Sequence, residues 1–239
     1  MKYIDLTFPT PEHNLACDEA LLELCEDGSG QEVLRFWEPH TYFVVLGYSG
    51  KANSEVNVSR CKAKNIPILR RSSGGGTVVQ GPGCLNFSLV LEIRKLKPLA
   101  NIVETNRYMM KQHQKALRPI IGREIEVQGF SDLACETLKF SGNAQRRKRR
   151  FVLFHGTFLL QFNIALIEEL LPVPKKQPSY RENRPHLDFL TNLNVPSKTV
   201  KESLQKLWKA EDPFEEVPSE KINGLVQEKY GTSEWNFKY

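Results

Sequence analysis

The chain has 239 residues, 40% of them hydrophobic, and 33 Lys and Arg against 28 Asp and Glu give it a formal net charge of +5. That apolar supply fills a sizeable core and excludes a disordered chain, while the mild basic excess suits an anionic ligand or acidic partner and falls short of a dedicated nucleic-acid binder. The N-terminal "MKYIDLTFP" has no apolar targeting segment, no stretch approaches a membrane span, and Cys17, Cys25, Cys61, Cys84 and Cys135 lie far apart without C-x-x-C spacing, so a cytoplasmic protein with reduced, buried thiols is expected.

The periodicity switches along the chain in the manner of mixed α and β structure. "NLACDEALLELCEDG" predicts a helix with Asn14 as N-cap and Gly28 as its stop. "VLRFWEPHTYFVVLGY" predicts a strand pair about the turn Glu38-Pro39-His40, "IPILRR" a third strand, and "CLNFSLVLEI" a fourth with one buried face. "ANIVETNRYMMKQHQKALRP" predicts a second helix, with Ile102, Met109, His113 and Leu117 at helical spacing and Pro119 as its end. "REIEVQG", "DLACETLKFSGNAQ" and "FVLFHGTFLLQFN" form a β-rich second half. After a Pro-rich segment, "SKTVKESLQKLWKA" predicts a helix capped by Ser197 and "SEKINGLVQEKYG" one ending at Gly231.

Two stretches carry the chemistry. In "RRSSGGGTVVQGPGCLNFS" (residues 70–88) three glycines follow two arginines. Bare backbone lets N–H groups approach phosphate or carboxylate oxygens, and arginine adds permanent, bidentate donors. A tight turn with solvated arginines is the plainer reading; a P-loop is excluded, because no G-K-[ST] follows. In "SDLACETLKFSGNAQRRKRRFVLFHGTFLL" (residues 131–160), Lys139 stands between Leu138 and Phe140. Turned inward, its ammonium can stabilise a developing oxyanion or a phosphate; turned outward, it is a solvated strand lysine. His155 before Gly156 reads as a structural or a site residue, and Gln145 to Arg150 as an exposed basic turn between strands.

Taken together, these stretches resemble the lipoate-protein ligases of the biotin/lipoate ligase superfamily: an arginine-glycine loop with downstream L-N-x-S, then K-x-S-G-x-A and H-G-T-x-L-L. "NLACDEALLE" and "YRENRPHLDFLTNL" match further landmarks in order, so the resemblance covers about residues 1–193. It implies an α/β (α+β) fold of the class II synthetase and biotin/lipoate ligase type, a mixed, largely antiparallel sheet flanked by helices. It further implies a catalytic domain over 1–195, with 196–239 a helical tail of the same domain and no accessory domain in this chain. The implied activity joins lipoate to ATP with Mg2+, giving lipoyl-AMP, and passes the lipoyl group to a lysine of a lipoyl domain or glycine cleavage H protein. Arg71 with Gly74, Gly75, Gly76, Thr77, Val78 and Val79 would hold the nucleotide phosphate and adenylate. Lys139 would be the catalytic charge stabiliser, Asn86 an amide near the ligand and Asp132 a carboxylate for Mg2+ or nucleotide, while His155 and Gly156 would stand beside the pocket with the role of His155 open. Residues 35–47 would line a slot for the acyl chain.

A competing expectation within the superfamily is an octanoyltransferase that uses a cysteine thioester and no ATP. One branch of those enzymes places its cysteine where Val173 stands here, another within the stretch corresponding to "EIEVQGF"; Cys135 matches neither. The resemblance also leaves room for a separate small accessory subunit. The reading from another class is a nucleic-acid module using "RRKRR" and Arg70/Arg71, which lacks any stacking-aromatic signature. No membrane partner is expected.

Overall fold

The computed structural model describes the chain from Met1 to Tyr239, all side chains included but that of Ser29. In order, the elements are β1 (Lys2–Asp5), α1 (Pro11–Leu24), β2 (Val33–Trp37), β3 (Phe43–Leu46), α2 (Ala52–Glu55), α3 (Val58–Ala63), β4 (Ile68–Arg70), β5 (Val78–Gln80) and β6 (Cys84–Glu92). Then follow α4 (Ile102–Ile121), β7 (Ile125–Gln128), β8 (Asp132–Cys135), β9 (Leu138–Arg147), β10 (Phe151–Leu159), α5 (Ile164–Leu170), α6 (His186–Phe189), α7 (Ser197–Trp208), β11 (Asp212–Pro213), α8 (Ser219–Leu225) and α9 (Ser233–Asn236).

Eight strands form one sheet in the order β11-β1-β2-β6-β10-β9-β8-β7, and β4-β3-β5 form a smaller second sheet. Only the β11–β1 and β1–β2 pairs of the large sheet are parallel. The expected mixed, largely antiparallel sheet flanked by helices is therefore what the chain forms. Two cores sandwich it. On one face Leu34, Phe87, Phe154 and Phe158 pack with Met109, Met110 and Leu117 of α4 and with Val200 and Leu204 of α7. On the other, Val33, Val90, Phe151 and Leu153 pack with Leu21 and Leu22 of α1 and with Ile222 and Tyr230 of the C-terminal segment. A third core seats α2, α3 and α5 on the small sheet.

Several sequence expectations are corrected by this packing. β6 is buried on both faces, because helices cover the large sheet on both sides. The segments flanking Glu38-Pro39-His40 are both strands but do not pair: β2 lies between β1 and β6, while β3 joins β4 and β5. α1 begins earlier than expected, with Thr10 accepting from the His13 N–H and Pro11 in the first turn, where a proline forfeits no helical bond. Asn14 sits inside α1, its amide bonded to the Phe8 and Thr10 carbonyls. α4 runs through Pro119 to Gly122, whose left-handed backbone (φ 67°) supplies the stop. Ser197 is the first residue of α7, after Pro196, and makes no capping bond. No described helix is long and apolar enough to cross a membrane.

Candidate active site

β4 ends on Arg70 and Arg71 follows it, and the structure turns both inward. Arg70 is fully buried. Its Nη1 donates to the carbonyls of Gly47, Tyr48 and Gly50, while Nε and Nη2 donate to those of Trp235 and Asn236 near the C-terminus. Arg71 donates from Nη2 to the Gly74 and Gly76 carbonyls at 2.6 and 2.8 Å, and from Nη1 to the Val45 carbonyl. Burial pushes the Arg71 guanidinium down to about 10, which leaves it charged at neutral pH. The solvated-arginine reading is thereby overturned: Arg71 draws the loop's carbonyls around itself. The N–H groups of Gly74, Gly75 and Gly76 take no partner among the described residues, and all three glycines are exposed. Gly75 adopts a left-handed φ of 89°, and its carbonyl lies 2.0 Å from where a Cβ on Gly47 would stand, so both positions require glycine.

This loop lies over one face of β9. Asn143, Gln145 and Arg147 point the other way, bonding Met110 and Asn106 of α4 and the Leu99 carbonyl before it. A strict two-residue alternation would send Lys139 that way too. A β-bulge prevents it: Leu133 pairs with Ser141 but Ala134 with Lys139, leaving Phe140 the extra residue. Phe140 enters the α4-side core, while the Lys139 Nζ comes within 3.0 Å of the Cβ position of Gly142. Ala144 lies under Gly75, and Arg146 donates to the Ser72 carbonyl at 2.7 Å. The inward alternative for Lys139 is the one observed. Its ammonium pairs with Asp132 at 2.8 Å, and Asp132 also accepts from the Tyr180 hydroxyl at 2.9 Å. Burial and the Asp132 charge push the Tyr180 phenol up, which keeps it a donor.

Two polar rows cross the sheet beside this face. In the first, Asn86 donates to the Gln80 carbonyl oxygen, Gln80 donates to the Thr157 hydroxyl, and Thr157 donates to the Asn86 carbonyl oxygen, closing a ring. In the second, the His155 Nε2 meets the Ser73 hydroxyl at 2.6 Å and its Nδ1 meets Asp18 at 3.3 Å, with Arg35 against Asp18 at 2.6 Å. Burial alone would raise Asp18, but the Arg35 guanidinium and the His155 bond together hold it below the usual carboxylate range. Ser73 is itself completely buried, so this Ser-His-Asp row braces the loop and exposes no nucleophile.

The predicted residues are brought together unequally. Lys139 and Asp132 form one pair, the glycine loop lies over Ala144 of the same strand, and His155 reaches that loop through Ser73; Asn86 lies in its polar ring, and Gly156 borders Asn143. Val79 belongs to the core of the small sheet, and Trp37, Phe43 and Val45 are packed in the α1-side core. Sequence reasoning missed Asp18, Arg35, Ser73, Gln80, Thr157 and Tyr180. The pairing of "NLACDEALLE" with "FHGT" joins positions 137 residues apart, and only the shared presence of polar residues in otherwise apolar elements could have signalled it. The basic run is not a free turn: Arg146 and Arg147 lie within β9, Lys148 pairs with Glu23, the Glu26 carboxylate takes the Arg150 N–H, and only Arg149 is exposed. No group of three or more His, Cys, Asp or Glu among the described residues could hold a metal ion. Asp132 offers one carboxylate, already paired with Lys139.

Comparison with known proteins agrees with this architecture. Residues 10–208 match the family described as lipoyl protein ligase A/B catalytic domain. The chain is 28% identical to a probable lipoate-protein ligase A of Mycoplasma pneumoniae, over 99% of this chain and 72% of that protein. It is 26% identical to the octanoyltransferase LipM of Geobacillus kaustophilus, over 99% and 98%. Among solved structures it is similar to a bipartite lipoate protein ligase of Thermoplasma acidophilum, described with its E2 lipoyl domain (TM-score 0.84, 25% identity, 99% and 95% coverage). A lipoate-protein ligase A bound with ATP is similar too (TM-score 0.81, 26% identity, 99% of each chain).

Proposed function

Because the chain belongs to the lipoyl protein ligase A/B catalytic-domain family, we propose that it activates lipoate with ATP and transfers the lipoyl group to a lysine of a lipoyl domain or H protein. The observation that carries this reading is Lys139, turned by the bulge onto the loop-facing side of β9 and kept there by Asp132. In the first step a lipoate carboxylate oxygen attacks the α-phosphorus and the bond to the β-phosphate breaks, releasing pyrophosphate. In the second, the amine of the acceptor lysine attacks the acyl carbon, the bond to AMP breaks, and the nitrogen loses its proton to solvent. Negative charge gathers on the phosphoryl and then the carbonyl oxygens, and the Lys139 ammonium serves both. The open N–H groups of Gly74, Gly75 and Gly76 would cradle the phosphate, with Arg71 holding the loop in shape from beneath. Mg2+ would arrive with the nucleotide and share Asp132. ATP in the similar ligase structure and the lipoyl domain in the bipartite system support the same assignment.

A second reading, transfer of octanoate through a cysteine thioester without ATP, is favoured by the similarity to LipM. Against it, Cys135 lies in the α4-side core, and burial pushes its thiol up, away from the reactive thiolate. One assay separates the two: purified protein, a lipoyl-domain acceptor and either lipoate with Mg2+ATP or octanoyl carrier protein alone. Lipoyl-lysine and AMP are expected from the first mixture, either alone or once a small accessory subunit is added. Octanoyl-lysine from the second would overturn the ligase reading.

A further inference from the structure

Beside the loop, outside the groups used above, three aromatic rings enclose an ammonium. The Lys238 Nζ stands 3.5 Å from the ring centroid of Tyr48, 4.0 Å from that of Trp235 and 4.9 Å from that of Tyr239. Tyr48 meets Trp235 and Tyr239 edge-on, at 5.9 and 6.4 Å. Tyr48 and Trp235 are fixed independently of that ammonium, and Trp235 and Tyr239 also face, respectively, the Lys229 ammonium at 4.1 Å and the Arg70 guanidinium at 5.2 Å. The Trp235 indole N–H donates to the Arg70 carbonyl at 2.8 Å, the Arg70 guanidinium holds the Trp235 and Asn236 carbonyls, and the Tyr48 N–H donates to the Ser73 carbonyl at 2.8 Å. The cage is therefore tied to the glycine loop by the Tyr48–Ser73 backbone bond and to β4 by the Trp235–Arg70 bonds, and it opens outward, since Tyr48 and Tyr239 are 41% and 52% exposed.

A folded C-terminus does not need this lysine, because Arg70 already clamps it from within the core. What three ring faces around one position do is bind an alkylammonium, the geometry in which aromatic quadrupoles attract a cation. We infer that Tyr48, Trp235 and Tyr239 form the entry site for the acceptor protein's lysine, received as an ammonium before the proton loss that attack requires, and that Lys238 occupies it in the free protein. This inference rests on the ligase reading given above. The incoming lysine must displace Lys238, so the chain's own side chain lowers the apparent affinity for the acceptor in proportion to its occupancy of the cage.

The test is a titration with Nα-acetyl-lysine amide followed by tryptophan emission, together with acceptor KM and lipoate-dependent ATP–pyrophosphate exchange in the same preparations. Lys238→Gln should bind the amide three- to fivefold more tightly than the unaltered protein and lower the acceptor KM by the same factor, the scale of one exposed cation–π contact. Adding Tyr48→Leu should abolish the gain; adding Tyr48→Phe, which keeps the ring, should preserve it. Adenylate formation without amide binding by Lys238→Gln, or an unchanged acceptor KM, would overturn the cage alone. Amide binding without adenylate formation by any of these proteins would instead overturn the ligase reading and leave an ammonium site standing.

Discussion

Arg70→Lys gives the sharpest account of what the arginine pair does. The native guanidinium makes five side-chain hydrogen bonds, all to backbone carbonyls, at 2.7–3.0 Å. A lysine keeps the charge but has three donors on one tetrahedral nitrogen, so at least two of those carbonyls lose their partner. A buried acceptor left unpaired costs about 1–3 kcal/mol, and taking the lower half of that range, because Tyr48 lies near solvent, gives a loss of about 3 kcal/mol. For a chain of this length the melting temperature should fall by about 9 °C. Thermal unfolding followed by circular dichroism measures it, and limited proteolysis locates it: cleavage should appear first within residues 230–239, the segment Arg70 holds. A variant that melts within about 2 °C of the parent, with its C-terminus still protected, would refute the claim that Arg70 is a clamp and return it to ligand binding.

Lys139→Ala should lower overall turnover by roughly 100-fold or more while leaving the melting temperature nearly unchanged, the scale for removing one preorganised charge stabiliser; near-normal turnover would leave it a plain partner of Asp132. Asp18→Asn removes one member of a buried pair and should cost about 3 kcal/mol at pH 6 by denaturant titration. Since the folded-state pKa of Asp18 lies below its unfolded value, its contribution is fully present above about pH 4 and fades as pH falls through the folded value. The stability gap between parent and variant must therefore narrow in acid, and a gap independent of pH would remove Asp18 from the account.

What the sequence shows and hides follows from the range of the forces involved. Long elements declare themselves: α4 carries 20 residues of helical period and β6 nine of strand composition, and both are legible. Strands β1, β5 and β11, two to four residues each, have no period to read. The motifs located the loop and the Lys139 strand, but three features of the site lie beyond any local pattern. The first is the bulge at Phe140, since a two-residue alternation assigns Lys139 to the wrong face and only pairing with β8 corrects it. The second is the direction of Arg70 and Arg71, whose partners are backbone carbonyls, apart from the Ser73 hydroxyl that Arg71 meets, and so leave little mark in residue identity. The third is the row from Arg35 through Asp18 and His155 to Ser73, assembled from four separate elements. Arg71 and Ser73 fix the loop from below and the bulge turns Lys139 to the loop-facing side of β9, so the placement of both depends on residues that need not touch a ligand.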